Sequence, residues 1–219
     1  MGDMTLRTLV SSLAIALVVC GASASADGSQ VARLSAVQDV SLPFWCDWGY
    51  DWDERCYRDD GDRLPMGGED DKVWRAALRF STASIPPRSA VMSATLHLFH
   101  DGRCLAPRKT LRACEARDYE LEAHPILSTD WFHERELDFG PAVAGAELGA
   151  ADQPGRISFD LTDLVTEWVD GGRRDSGILL KLSEDHEDFG VSGPSPPSSG
   201  FAQPAARPQL EVTYLAPGS

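Results

Sequence analysis

Apolar side chains alternate with polar ones along much of this chain. Trp74, Ala76, Leu78 and Phe80 occupy every second position, with Arg75, Ala77 and Arg79 between them. A period of two places these sets on opposite faces of a β-strand. Val91–His100 repeats the pattern, with Leu96 and Leu98 on one face and His97 and Phe99 on the other. Leu210, Val212 and Tyr214 alternate in a closing strand, and Ala36–Leu42, Leu111–Ala116 and Ile157–Phe159 are further extended stretches. Gly177–Leu182 is apolar nearly throughout, which predicts a strand buried on both faces. One segment changes period. Leu161, Leu164, Val165 and Trp168 fall at i, i+3, i+4 and i+7, predicting a helix over about residues 161–170. Asp160 or Thr162 can cap it, and Gly171-Gly172 ends it. Residues 142–151 are small and featureless and read as loop, as does the Pro-, Ser- and Gly-rich stretch 193–208. Many short strands, turn signals between them and no strand–helix alternation predict a mostly β protein. The expected fold is a jelly-roll-like antiparallel β-sandwich with one short helix.

The first residues follow a different logic. Arg7 precedes an apolar run, Leu9–Val19, broken only by Ser11 and Ser12. Ala24-Ser25-Ala26 then supplies the small-x-small pattern that signal peptidase cleaves, so residues 1–26 read as a signal peptide cut after Ala26. The run is too short to span about 30 Å of hydrocarbon comfortably. A lipid anchor on Cys20 would want a small residue where Val19 stands. The expected product is a secreted single domain, residues 27–219, with no membrane attachment after cleavage.

Export changes the reading of the cysteines. Cys46, Cys56, Cys104 and Cys114 remain after cleavage, and an even number in an oxidising compartment argues for disulfides. The two spacings of ten favour local pairs, Cys46–Cys56 and Cys104–Cys114. No C-x-x-C spacing suggests zinc. The net charge is −14, and removing the signal takes away one acid, Asp3, and one base, Arg7, so it does not change. Such a field repels nucleic acid.

The order of elements resembles the DNRLRE, or disaggregatase-related, family of extracellular β-sandwich modules. The pieces that carry the resemblance are Trp74-Arg75-Ala76-Ala77-Leu78-Arg79-Phe80, Ile85-Pro86-Pro87, and Ser93-Ala94-Thr95-Leu96-His97-Leu98. Phe159-Asp160-Leu161-Thr162-Asp163-Leu164-Val165 with Trp168, Gly177–Leu182 and Arg207–Tyr214 follow in the same order, so the resemblance covers about residues 74–215. It implies a jelly-roll-like sandwich of the kind found as carbohydrate-binding modules on polysaccharide-degrading enzymes, some of them alginate binders. It implies no single activity. With few lysines and a charge of −14, this chain departs from what an acidic polymer requires, so no ligand residue is carried over.

The most unusual local feature is the aromatic and acidic stretch at 43–72, expected to form a disulfide-bracketed loop. Trp45, Trp48 and Trp52 are three of the chain's six tryptophans, and Tyr50 lies among them. Indole faces stack on the C–H faces of sugar rings, and neighbouring carboxylates accept hydrogen bonds from hydroxyls. Trp45, Trp48, Tyr50 and Trp52 with Asp47 and Asp51 are therefore the candidate ligand platform, set against a loop that folds its aromatics over the sandwich end. Asp51, Asp53, Asp59, Asp60 and Asp62 are candidate ligands for a structural calcium, which takes six to eight oxygens. Asp51-x-Asp53 does not continue as an EF-hand, because Cys56 stands where that loop needs glycine. Glu184–Asp188 reads as a solvated acidic turn. No G-x-S-x-G, H-E-x-x-H, P-loop or G-x-G-x-x-G pattern occurs, so no catalytic residues are assigned. The expected function is non-catalytic recognition of a polysaccharide or glycan. The alternative is a structural or adhesive surface protein that uses the sandwich for protein contacts. An unrecognised hydrolase trails both.

The oxidised protein should hold no free thiol. Non-reducing peptide mapping should recover Cys46–Cys56 and Cys104–Cys114; a Cys46–Cys104 or Cys46–Cys114 peptide would overturn the local pairing.

Overall fold

A computed structural model describes residues 23–24, 28–46, 61–69, 72–106, 110–128, 137–150, 154–187 and 192–218. The strands are β1 (Ser23–Ala24), β2 (Gln30–Cys46), β3 (Gly67–Glu69), β4 (Lys72–Phe80), β5 (Ala90–His100), β6 (Arg103–Ala106) and β7 (Thr110–Ala113). After these come β8 (Tyr119–Pro125), β9 (Ala144–Leu148), β10 (Gly155–Asp160), helix α1 (Thr162–Asp170), β11 (Ile178–Leu182) and β12 (Gln209–Leu215). Neighbouring strands run in the order β10-β5-β12-β2-β4-β11-β8-β9, antiparallel throughout. The fold is the expected antiparallel β-sandwich, curled so far that it is nearly a closed barrel.

One strand belongs to both sheets. β2 pairs with β12 through Gln30–Ser35, then with β4 from Ala36 to Cys46. The register slips between Ala36 and Gln38, where the strand passes from one sheet to the other. A bulge adds local twist and bends a strand, which is what a corner needs. The first sheet is thus β10-β5-β12-β2, and the second is β2-β4-β11-β8-β9. Between them lies the core, from Leu34, Leu78, Phe80, Leu96, Leu98, Phe159, Leu180 and Leu210 to Tyr214. Leu161, Leu164, Val165 and Trp168 bury their stripe in the same core, as their spacing predicts. Gly171 ends the helix in a left-handed conformation (φ 75°). Among the described residues no helix is long and apolar enough to cross a membrane.

Several expectations need correction. Ala144–Leu148, read as loop, is strand β9: small residues suit an edge that packs its inward side on the core, but they leave little hydrophobic contrast to see. The stretch at 43–72 is not loop throughout, since β2 continues to Cys46 and β3 returns along β4. The stretch 193–208 is the expected loop, with a single 3-10 turn at Pro204–Ala206, but residues 193–198 of it are buried. Proline lacks an N–H but keeps its carbonyl. Pro196 and Pro194 accept from the N–H groups of Leu64 (2.8 Å) and Met66 (3.1 Å), and Ser198 N–H donates to the Asp62 carbonyl. Gly193 is required there, because a Cβ would overlap the Met66 carbonyl.

The acidic turn is also more than solvated. Over β4 and β11 the second sheet is buried on both faces, whereas Glu120 and Glu147 at its β8–β9 edge are exposed. On its outer side Val40, Ala77, Ile126 and Leu179 form a second small core with Leu137 and Phe139 over it. Beside it lie Arg75 and Lys181, almost fully buried. Arg75 donates two hydrogen bonds to Glu187, at 2.7 and 2.6 Å. Lys181 sits 3.2 Å from Glu122 and 3.5 Å from Glu187. The Arg75 guanidinium also lies 5.3 Å from the centre of the Phe139 ring. Removing one partner of a buried ion pair strands the other charge, at a cost of about 3–5 kcal/mol. Glu187→Gln should lower urea-unfolding stability on that scale, whereas Arg33→Ala, which breaks an exposed pair with Glu211, should cost below about 1 kcal/mol. Equal small losses would contradict the buried network.

Candidate binding face

The first sheet differs from the second in that its outer side is open. The alternation that buries Ala94, Leu96 and Leu98 on β5 turns Ser93, Thr95, His97 and Phe99 outward. On β12 the outward set is Gln209, Glu211 and Thr213; on β2 it is Val31, Arg33 and Ser35; on β10 it is Arg156, Ser158 and Asp160. Phe99 remains 43% exposed, and Val37, the residue at the β2 bulge, 63%.

Register sets these side chains in rows across the strands. Ser158 lies opposite His97, His97 opposite Gln209, and Gln209 opposite Ser35. The next row is Asp160, Thr95, Glu211 and Arg33. Its charges are already engaged: Arg33 donates to Glu211 at 2.9 Å, and Asp160 accepts from the Thr162 hydroxyl (2.6 Å) and N–H (3.0 Å). These two bonds hold the Asp160 carboxyl below its ordinary range.

His97 is the centre of the face. Its Nδ1 lies 3.0 Å from Ser158 Oγ. Partial burial, then the Arg156 charge, hold its pKa below the ordinary histidine value, with Glu211 pulling the other way. A serine–histidine pair invites a catalytic reading. A nucleophile of that kind needs a carboxylate orienting the far ring nitrogen and donors for an oxyanion. Among the described residues no carboxylate bonds His97. The pair offers hydrogen-bonding groups, and Phe99 on the same strand face adds an exposed aromatic ring.

A cleft lies at the sheet's margin. About 290 Å³ opens where β9 and β10, the two ends of the strand path, stay unpaired; Val143–Gly145 and Asp160–Leu164 line it.

The residues singled out in the sequence fall largely elsewhere. Trp45 lies on β2 opposite Val73. Asp47, Trp48, Tyr50, Asp51 and Trp52 lie outside the described residues, as do Asp53, Asp59 and Asp60 of the calcium set. Asp62 is exposed, and among the described residues no three His, Cys, Asp or Glu side chains gather as metal ligands. Cys104 and Cys114 are joined, as expected, with Tyr119 Oη and His100 Nε2 each 3.6 Å from a sulfur. Cys46 ends β2 opposite Lys72, and Cys56 lies outside the described residues. His97 and Phe99 were placed on one strand face from alternation alone, but nothing in that pattern told which sheet face would stay open. No protein-family model and no curated protein matches the chain.

The electrostatics of the face can be read directly. Arg156→Gln should move the His97 titration to higher pH, and Glu211→Gln should move it lower, in an NMR titration of the ring. No movement in either variant would show that these groups do not share one surface.

Proposed function

We propose that this is a secreted, non-catalytic module that binds a polysaccharide or glycan on the outer face of its first sheet. The observation that carries the reading is the asymmetry between the faces. The second sheet is covered over β4 and β11 by apolar groups and buried ion pairs, while the first presents Phe99, His97, Gln209, Ser158 and Ser35 to solvent. Aromatic and amide or hydroxyl groups on a rigid sheet suit sugars, which offer apolar C–H faces ringed by hydroxyls. The signal-like segment around Leu9–Val19 and the Cys104–Cys114 bond support export. The resemblance to DNRLRE modules supports the same class.

The aromatic stretch from Trp45 to Trp52 belongs to this proposal as a second contact region: it follows β2, whose first half lies in the binding sheet and whose second half, up to Cys46, lies in the other sheet. A structural calcium at Asp51, Asp53, Asp59, Asp60 and Asp62 would stiffen that region and would take no part in chemistry. The competing class is an adhesive surface protein that docks another protein on the open face.

A glycan array with the oxidised protein tests the class. At least one polysaccharide should bind, and Phe99→Ala should weaken it by about 1–3 kcal/mol, the scale for losing an aromatic anchor. Loss of binding in Trp48→Ala or Trp52→Ala with Phe99→Ala unchanged would move the site to the aromatic stretch. Retention of no glycan would overturn the reading.

A further inference from the structure

The register of the open face constrains the shape of its ligand. We propose that the ligand is an extended, unbranched, uncharged chain of sugar rings that lies across the four strands of the first sheet, along the row Ser158, His97, Gln209 and Ser35. This rests on the glycan-binding reading and specifies its ligand.

Spacing is the first argument. Adjacent strands stand about 4.8 Å apart, whereas same-face residues along one strand repeat at about 6.8 Å. The shorter period is close to the advance of one pyranose ring in an extended chain. A chain laid across the strands therefore meets one hydrogen-bonding side chain per ring: a hydroxyl, an imidazole, an amide and a hydroxyl. A chain laid along a strand would fall out of step.

Charge is the second. The row carries no formal charge when His97 is neutral, and burial together with Arg156 favours that form. In the neighbouring row Arg33 and Glu211 neutralise each other, while Asp160, held ionised by its Thr162 hydrogen bonds, leaves a negative charge that a polyanion would meet. A polyanion would meet the net charge of −14 and find Arg156 as the one guanidinium on this face without a side-chain partner among the described residues. Arg156 stands opposite Phe99, beside the Ser158 end of the row, and can still donate to a hydroxyl there.

Shape is the third. Phe99 stands two residues beyond His97 and Val37 two beyond Ser35, so exposed apolar groups flank one side of the row. The Arg33–Glu211 pair flanks the other. A ring's C–H face can rest on the apolar side, but a branch would meet one flank or the other.

Calorimetry with linear oligosaccharides of increasing length, cut from the polymer that the array selects, tests this. Affinity should climb with each ring up to about four, one per strand, and then level off. Ser158→Ala and Ser35→Ala, at opposite ends of the row, should each weaken the four-ring ligand several-fold. Thr213→Ala, off the row, should not. A branched isomer should bind at least tenfold more weakly. Affinity that saturates at one or two rings, equal binding of branched and linear ligands, or indifference to both serine variants would overturn the row while leaving glycan binding intact. Absence of any glycan binding would remove both.

Discussion

Arg75 and Lys181 emerge from neighbouring strands on the outer side of the second sheet, and neither can stay charged there without a carboxylate beside it. Desolvating an ammonium or guanidinium costs several kcal/mol, so burial is tolerable only with close partners and further hydrogen bonds. Glu187 supplies both oxygens to Arg75, and Glu122 serves Lys181, whose ammonium also donates to the Leu182 carbonyl at 3.1 Å. To do so Glu187 must fold back from the turn after β11. Meanwhile Phe139 and Leu137 lie over the apolar half of the same face, with His124 edge-on to Phe139 at 5.1 Å between ring centres. This arrangement covers the outer side of β4 and β11, whereas the outer positions of the first sheet meet solvent.

Asp175 shows the opposite case. It sits between α1 and β11 with one carboxylate oxygen buried and without a hydrogen-bond partner. Burial pushes its pKa up to about 6, against the pull of Arg79 and Thr82. Its folded-state value lies above its unfolded one, so its contribution is fully present below about pH 4 and is lost as the pH rises through about 6. A charge with a fitted partner seals a face; a charge without one becomes a proton-dependent weakness in the link between helix and sheet.

Much of the fold was legible because period and burial coincide. Leu78 and Phe80, Leu96 and Leu98, and Leu210 and Val212 alternate because one side of each strand faces the core. Leu164, Val165 and Trp168 repeat at helical spacing for the same reason. Legibility failed where that link breaks. β9 is built from Ala, Gly and one Glu before Leu148, so its edge carries almost no contrast. Pro194 and Pro196 have the composition of a loop, yet they are buried and their carbonyls accept from the backbone N–H groups of Met66 and Leu64. Alternation put Arg75 on the face opposite Trp74 but is silent about a second cover brought from residues far along the chain. The candidate site was half legible for this reason. His97 and Phe99 were assigned to one side of β5, but that this side stays open depends on what covers the other sheet.

The account's central claim is that recognition occurs on the open sheet. Backbone amide chemical shifts, followed by NMR while a bound oligosaccharide is titrated in, test it most directly. The account predicts that the largest changes cluster at Ser35, His97, Phe99, Ser158 and Gln209, with the outer strands of the second sheet unmoved. Changes confined to residues 47–60, or spread over β8 and β11 on the sealed side, would contradict it.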